Sequence, residues 1–122
     1  MIRRSLIKIA AALAFAFAAT AAHAHAQLEK ATPPVGGAVA SPSEIRLKFS
    51  EGVEPRFSGI ALASEDGAAA PLGPPSVDPT DNSVLIAKVV KTLPPGVYTV
   101  TWRAVSVDTH KTQGSFSFTV KP

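Results

Sequence analysis

Apolar and polar residues alternate in several short stretches of this chain, and no stretch after residue 26 has the periodicity of a helix. The clearest case is residues 44–49, where Ile45, Leu47 and Phe49 alternate with charged residues. Because side chains two apart in a strand share a face, this stretch is predicted to be a strand with one buried face and one solvated face. The same alternation predicts further strands at residues 60–62, 98–103 and 116–120, and a continuous apolar run predicts one at residues 84–87.

Prolines and glycines separate these runs and predict turns between the strands. Residues 67–82 have the least regular pattern and are predicted to be a long loop. Short strands between turns predict an all-β domain, an immunoglobulin-like Greek-key β-sandwich or barrel of about seven strands. Within it we expect Trp102 in the core. Tyr98, which follows a Pro-Pro-Gly turn, is expected to form a tyrosine corner by bonding back to the preceding loop.

The last two predicted strands form a hairpin whose loop carries Asp108 and His110. In an extended backbone these two residues would share a face, with their Cα atoms about 6.6 Å apart. That separation suits two ligands on one metal ion. An isolated Asp-x-His sequence is more often an ordinary solvated turn, so the pair needs support from elsewhere in the chain.

Residues 1–24 have the features of an export signal. Arg3, Arg4 and Lys8 precede the almost entirely apolar residues 9–22, and Ala-His-Ala at residues 22–24 resembles a cleavage site. The apolar run is shorter than the ~20 residues of a membrane-spanning helix. The paired arginines are compatible with the twin-arginine route as well as with the general secretory route. We therefore expect the mature domain, residues 25–122, to work outside the cytoplasm without inserting into the membrane.

The cleavage position decides whether a metal site exists at the N-terminus. Cleavage after Ala24 would make His25 the first residue, and its free α-amino group and imidazole could chelate one metal ion. Such an amine has a reference pKa of about 7.7 to 8.0, so a strongly bound metal ion displaces its proton readily. Cleavage after Ala22 would place His25 third, where backbone nitrogens can wrap a square-planar metal. Cleavage after Ala26 would remove both N-terminal histidines.

The composition of the mature chain limits the possible chemistry. Removing 24 of the 122 residues leaves 98, enough for one small domain, with nine basic and nine acidic residues. This balance gives no reason to expect a nucleic-acid partner. The chain has no Cys, and Met1 is its only Met. A site in the mature chain must therefore use nitrogen and oxygen donors, which argues against Cu(I) and iron–sulfur chemistry.

Five features together resemble the CopC family of periplasmic copper-resistance and copper-carrier proteins, over essentially the whole mature chain. They are a mature N-terminal His25, Phe-Ser-Glu at residues 49–51, Gly-Val-Tyr-Thr-Val-Thr-Trp-Arg at 96–103, Ser-Val-Asp-Thr-His at 106–110 and Gly-Ser-Phe-Ser-Phe at 114–118.

The resemblance implies a Greek-key β-sandwich or barrel that binds one Cu(II) per chain. The ligands would be the amine and imidazole of His25, together with Asp108 and His110, and Glu51 would be a secondary contact. An inner-membrane copper importer of the CopD type is the implied partner, and we expect a monomer. Some CopC proteins have a second, methionine-rich Cu(I) site, which this chain lacks.

Two other functions remain as alternatives to a periplasmic copper carrier that is not an enzyme. An N-terminal His with a second His resembles the histidine brace of copper monooxygenases. Against this, 98 residues leave little room for a substrate face, and Asp108 would fill a coordination position that oxygen needs. The other alternative is a metal-free immunoglobulin-like interaction domain.

Overall fold

The computed structural model describes residues 26–122, which form strands, turns and loops without an α-helix. The predicted signal peptide and His25 lie outside the described residues. Within the described part, no helix is long and apolar enough to cross a membrane. The nine strands are β1 (Leu28–Thr32), β2 (Ala38–Val39), β3 (Glu44–Phe49), β4 (Gly59–Ser64), β5 (Ala69–Ala70), β6 (Ser76–Asp78), β7 (Asp81–Lys88), β8 (Gly96–Val105) and β9 (Lys111–Val120).

The strands form two sheets that pack face to face as a β-sandwich. One sheet has four strands in the order β1-β3-β7-β6, and the other has five in the order β2-β9-β8-β4-β5. The chain crosses between the sheets repeatedly, and all pairings are antiparallel except the short β2–β9 pair. The predicted all-β Greek-key sandwich is therefore confirmed, with seven strands of three or more residues and two strands of only two.

The core lies between the sheets and is built from the alternating positions of the long strands. Phe49 of β3 meets Trp102 of β8 edge to face, with ring centroids 5.1 Å apart. Between β8 and β9, Tyr98 stacks on Phe118 with ring centroids 5.9 Å apart. The Tyr98 hydroxyl donates to Pro94 O at 2.7 Å. Both the buried Trp102 and the tyrosine corner are thus confirmed. Aromatic pairs of this kind add about 0.5–1.5 kcal/mol beyond the area that they bury.

The prediction of a long loop at residues 67–82 is wrong. β5 and β6 lie within this stretch, and β7 begins at Asp81. β5 pairs through only two residues and β6 through three, each at the edge of its sheet. An edge strand needs partners on one side only, so it tolerates the prolines that flank β6 and needs no strict alternation.

The outer face of the four-stranded sheet carries paired charges. Arg46 Nη2 lies 2.6 Å from Asp78 Oδ2, and Lys48 Nζ lies 3.3 Å from Asp81 Oδ2. The pKa of Asp78 falls to about 2, because the backbone and hydroxyl of Thr80 donate to the carboxylate and Arg46 lies beside it. Arg46 and Lys48 of this face are therefore paired within the domain.

The Trp102 side chain packs so closely over the adjacent strand that only a glycine fits opposite it. Gly114 pairs with Trp102 across β8 and β9, and a Cβ at residue 114 would lie 2.6 Å from Trp102 Cζ2. Because the indole packs against Phe49 from the opposite sheet, it cannot move away without disturbing the core.

We expect Gly114→Ala to destabilise the fold by about 1–3 kcal/mol, the usual cost of overpacking a core. The measurement is the free energy of unfolding in urea. Gly73→Ala is the matched control, because a Cβ there would meet only ordinary contacts, the nearest at 3.6 Å. Equal unfolding free energies for the two variants would contradict the proposed close packing.

Candidate metal-binding site

The loop that connects β8 to β9 is organised around the hydroxyl of Ser106. This residue has no solvent exposure. Its hydroxyl donates to the Asp108 carboxylate and accepts from the His110 backbone N–H at 3.2 Å. Its own N–H donates to His110 O at 2.9 Å, which closes the loop. One buried side chain therefore holds both candidate metal ligands of this loop.

The loop is a tight turn, and the extended backbone assumed from the sequence is not found. Thr109 has a φ of 72°, in the left-handed region that β-branched residues rarely occupy. The turn nevertheless brings the two side chains together, with His110 Nδ1 3.1 Å from Asp108 Oδ2. Both are about half exposed, at 45% and 46%. The pKa of Asp108 lies below its ordinary value, chiefly because Ser106 donates to the carboxylate and also because His110 lies beside it.

The first described residues are fixed beside this loop. Thr112 Oγ1 donates to Ala26 O at 2.8 Å, and Ala26 is only 1% exposed. Gln27 and Ser50 are joined by two hydrogen bonds, each 2.8 Å long, which attach the first described residues to the end of β3. Thr112 is two residues from His110, so the chain is anchored one residue after His25 and close to the Asp108–His110 pair.

Glu51 lies at the same end of the sandwich. Its neighbour Ser50 bonds to Gln27, and its other neighbour Gly52 accepts from Val107 N–H at 3.0 Å. Glu51 Oε1 is buried and has no hydrogen-bond partner among residues 26–122. A buried oxygen without a hydrogen bond costs about 1–3 kcal/mol of stability, so a group that binds this oxygen would recover that cost.

The described residues alone do not complete a metal site. Among residues 26–122, no three His, Cys, Asp or Glu side chains form a group that could hold a metal ion. The structure brings Asp108 and His110 together. Glu51 lies at the same end of the sandwich but does not form a three-residue group with them. His25 lies outside the described residues, so its position as a ligand stays a prediction.

Comparison with known proteins identifies the family. The sequence profile of the CopC domain matches residues 28–121. The chain belongs to the CopC family. Copper resistance protein C from Escherichia coli is 39% identical over 105 residues, covering 78% of this chain and 80% of the relative.

Two further comparisons agree with this placement in the CopC family. Protein YobA from Escherichia coli K12 is 43% identical over 82 residues, and the match covers 67% of this chain and 66% of YobA. Among solved structures, the methionine-rich copper resistance protein PcoC from Escherichia coli superimposes with a TM-score of 0.74 and 35% identity. That match covers 80% of this chain and all of PcoC.

Sequence reasoning did not identify Ser106 and Thr112 as residues that position the site. Ser106 could have been suspected, because a Ser two residues before an Asp often bonds locally in turns. Nothing in the sequence connects Thr112 with Ala26, which is 86 positions away. That contact depends on the packing of the chain start against β9.

Replacing Ser106 by Ala should raise the pKa of Asp108 toward its ordinary value of about 3.9. A lowered folded-state pKa contributes stability above the ordinary pKa, and this contribution is lost as the pH falls through the folded value. The Ser106→Ala protein should therefore lose less stability than wild type as the pH falls through the pKa of Asp108. An NMR titration of the Asp108 carboxyl carbon in metal-free protein measures the change.

Ser83→Ala is the control for this experiment. The hydroxyl of Ser83 donates to Asp81 and is the main reason why the pKa of Asp81 lies below its ordinary value. Ser83→Ala should raise the pKa of Asp81 and leave Asp108 unchanged. If Asp108 titrates identically in wild type and Ser106→Ala, the buried hydroxyl does not control this carboxylate.

Proposed function

We propose that the mature protein binds one Cu(II) ion in the periplasm and carries or sequesters it as a copper-resistance protein. The observation that carries this proposal is the Asp108–His110 pair on a loop fixed by Ser106, with the chain anchored at Ala26 beside it. The names of the relatives, copper resistance protein C and PcoC, point to the same role.

The proposed ligands are the amine and imidazole of His25, together with Asp108 and His110. Three nitrogens and one oxygen suit the tetragonal geometry of Cu(II), and affinity along the divalent series rises to Cu(II) before falling at Zn(II). His110 Nδ1 and Asp108 Oδ2 lie 3.1 Å apart, so these two residues would hold the ion with little rearrangement of the loop. Glu51, with its unsatisfied buried oxygen, is proposed as a secondary contact to the site.

The exposure of the loop favours a carrier. Asp108 and His110 are about half exposed, so a ligand from another protein can reach a bound ion before these residues release it. We propose that the acceptor is a membrane copper importer. The pair lies at an end of the sandwich, on a half-exposed loop between two strands, which is suited to ion exchange with a protein surface.

His25→Ala should weaken Cu(II) binding by more than about 100-fold, because even the loss of an outer-shell partner typically costs 10–100-fold. Asp108→Asn and His110→Ala should also weaken it. Adding one Ala before His25 keeps the imidazole but turns the amine into an amide, and it should weaken binding as strongly as His25→Ala. The measurement is competition titration of protein whose N-terminus has been verified by intact mass.

Asp66→Asn is the control for these ligand variants. Ser64 donates to Asp66 in the turn after β4, just as Ser106 donates to Asp108, but this turn lies beside the start of β8, at the opposite end of the domain. Its Cu(II) affinity should equal that of wild type. If the variant with the added Ala bound Cu(II) tightly and with the wild-type copper spectrum, the His25 amine would not be a ligand. Mature protein that begins at Gln27 would lack the proposed site altogether.

Thr112→Val should weaken Cu(II) binding by about 10-fold while leaving the fold intact, as expected for a residue that positions a ligand. The valine has the same shape but cannot donate to Ala26 O, so the chain before residue 26 loses its anchor. In the variant with the added Ala, where the amine no longer binds, the same substitution should have much less effect. A double-mutant cycle on the titrated affinities measures this coupling.

A further inference from the structure

An exposed aromatic residue lies beside the candidate metal loop on the outer face of the five-stranded sheet. Phe57 belongs to the connection between β3 and β4 and is 65% exposed. It lines a groove with the outward-facing residues of two paired strands, Arg103 and Val105 on β8 and Lys111 and Gln113 on β9. Every other aromatic side chain of residues 26–122 is buried, and the other large apolar residues exposed there are valines.

Arg103 and Lys111 line this groove and Arg56 precedes Phe57 in the chain, which places three positive charges in or next to the groove. Arg56, Arg103 and Lys111 are all exposed, and none makes an ion pair within residues 26–122. In contrast, Arg46, the other arginine of the described chain, is paired with Glu44 and Asp78. Aromatic residues and arginine are the types enriched at protein interfaces, whereas lysine is not. We call Arg56, Phe57, Arg103 and Lys111 together the Phe57 face.

The Phe57 face is continuous with the candidate metal loop. Lys111 lines the groove and directly follows His110, so the two Cα atoms are about 3.8 Å apart. Two backbone contacts also hold the Phe57 segment beside the end of β8. Glu54 N–H donates to Val105 O at 2.8 Å, and Val105 N–H donates to Ser58 Oγ at 3.0 Å. A protein bound on this face would therefore reach the ligands of the loop.

We propose that the Phe57 face docks the protein that accepts the copper ion, through an apolar pocket for Phe57 surrounded by carboxylates. This inference rests on the proposed function. Unpaired arginines and a lysine around an aromatic anchor are complementary to an acidic surface, which would also speed encounter. A second copy of this chain fits poorly, because a two-fold contact through this face would bring like charges together.

The test measures copper transfer and copper binding separately. Mature protein loaded with radioactive Cu(II) is added to spheroplasts of the source organism, with an impermeant chelator to hold any released ion. Phe57→Ser and Arg103→Glu should each lower the initial uptake rate at least about fivefold, with Cu(II) affinity within about twofold of wild type. Uptake from wild type should also slow as the salt concentration rises.

Val90→Ser and Lys91→Glu are the matched controls. They change an exposed valine and an exposed lysine in the connection between β7 and β8, at the opposite end of the sandwich. Both should transfer copper at the wild-type rate. If Phe57→Ser transfers as fast as wild type, or if wild type delivers no copper above the chelated background, the docking proposal is overturned. The proposed function fails only if wild type does not bind Cu(II) in the titration.

A photo-crosslinker identifies the occupant of the face. Phe57 is replaced by p-benzoylphenylalanine, and the copper-loaded protein is irradiated with the same spheroplasts, with phosphatidylglycerol vesicles and alone. The proposal expects an adduct to a segment rich in Asp and Glu on a membrane protein, lost when Arg103→Glu is added. A dominant adduct to a second copy, or to the lipid, would overturn it.

Discussion

The buried hydroxyl of Ser106 is the interaction on which the candidate site depends. It satisfies one oxygen of Asp108 and the backbone N–H of His110 in a five-residue turn that contains Thr109 in a rarely occupied conformation. A left-handed β-branched residue persists only where surrounding bonds hold it. The two side chains are therefore held together by the fold itself, and less of the binding free energy would be spent on ordering them if an ion binds at the proposed site.

Both sheets contribute to the rim around this turn. Residues 50–54 extend from the end of β3 and bond in turn to Gln27, to Val107 and to Val105. Phe49, which directly precedes residues 50–54, packs against Trp102 of the opposite sheet, so the core supports this segment. The result is a frame bonded from both sheets, with the half-exposed side chains of Asp108 and His110 at its edge. Under the proposed function, this arrangement would hold an ion and still leave it accessible to an acceptor.

The sequence predicted the long strands well because their alternation directly reflects burial. Every second residue of β3 is buried, and the same holds for β8 from Tyr98 to Ala104. The two-residue and three-residue strands at the sheet edges carry no such pattern, so residues 67–82 looked like a loop. Asp108 and His110 could be found from their spacing, but the turn that joins them depends on Ser106. The anchoring of Ala26 by Thr112 depends on tertiary packing, which periodicity cannot reveal.

The proposed donor set would also determine how a bound ion leaves. The relative PcoC is described as methionine-rich, whereas the only Met of this chain is Met1. Thioether and thiolate ligands stabilise Cu(I), whereas imidazole, amine and carboxylate favour Cu(II). Residues 26–122 contain no soft ligand for a reduced ion, so the proposed site would favour Cu(II) over Cu(I). Under the proposed function, an acceptor would replace one ligand at a time from the exposed side, where Asp108 and His110 lie next to the Phe57 face.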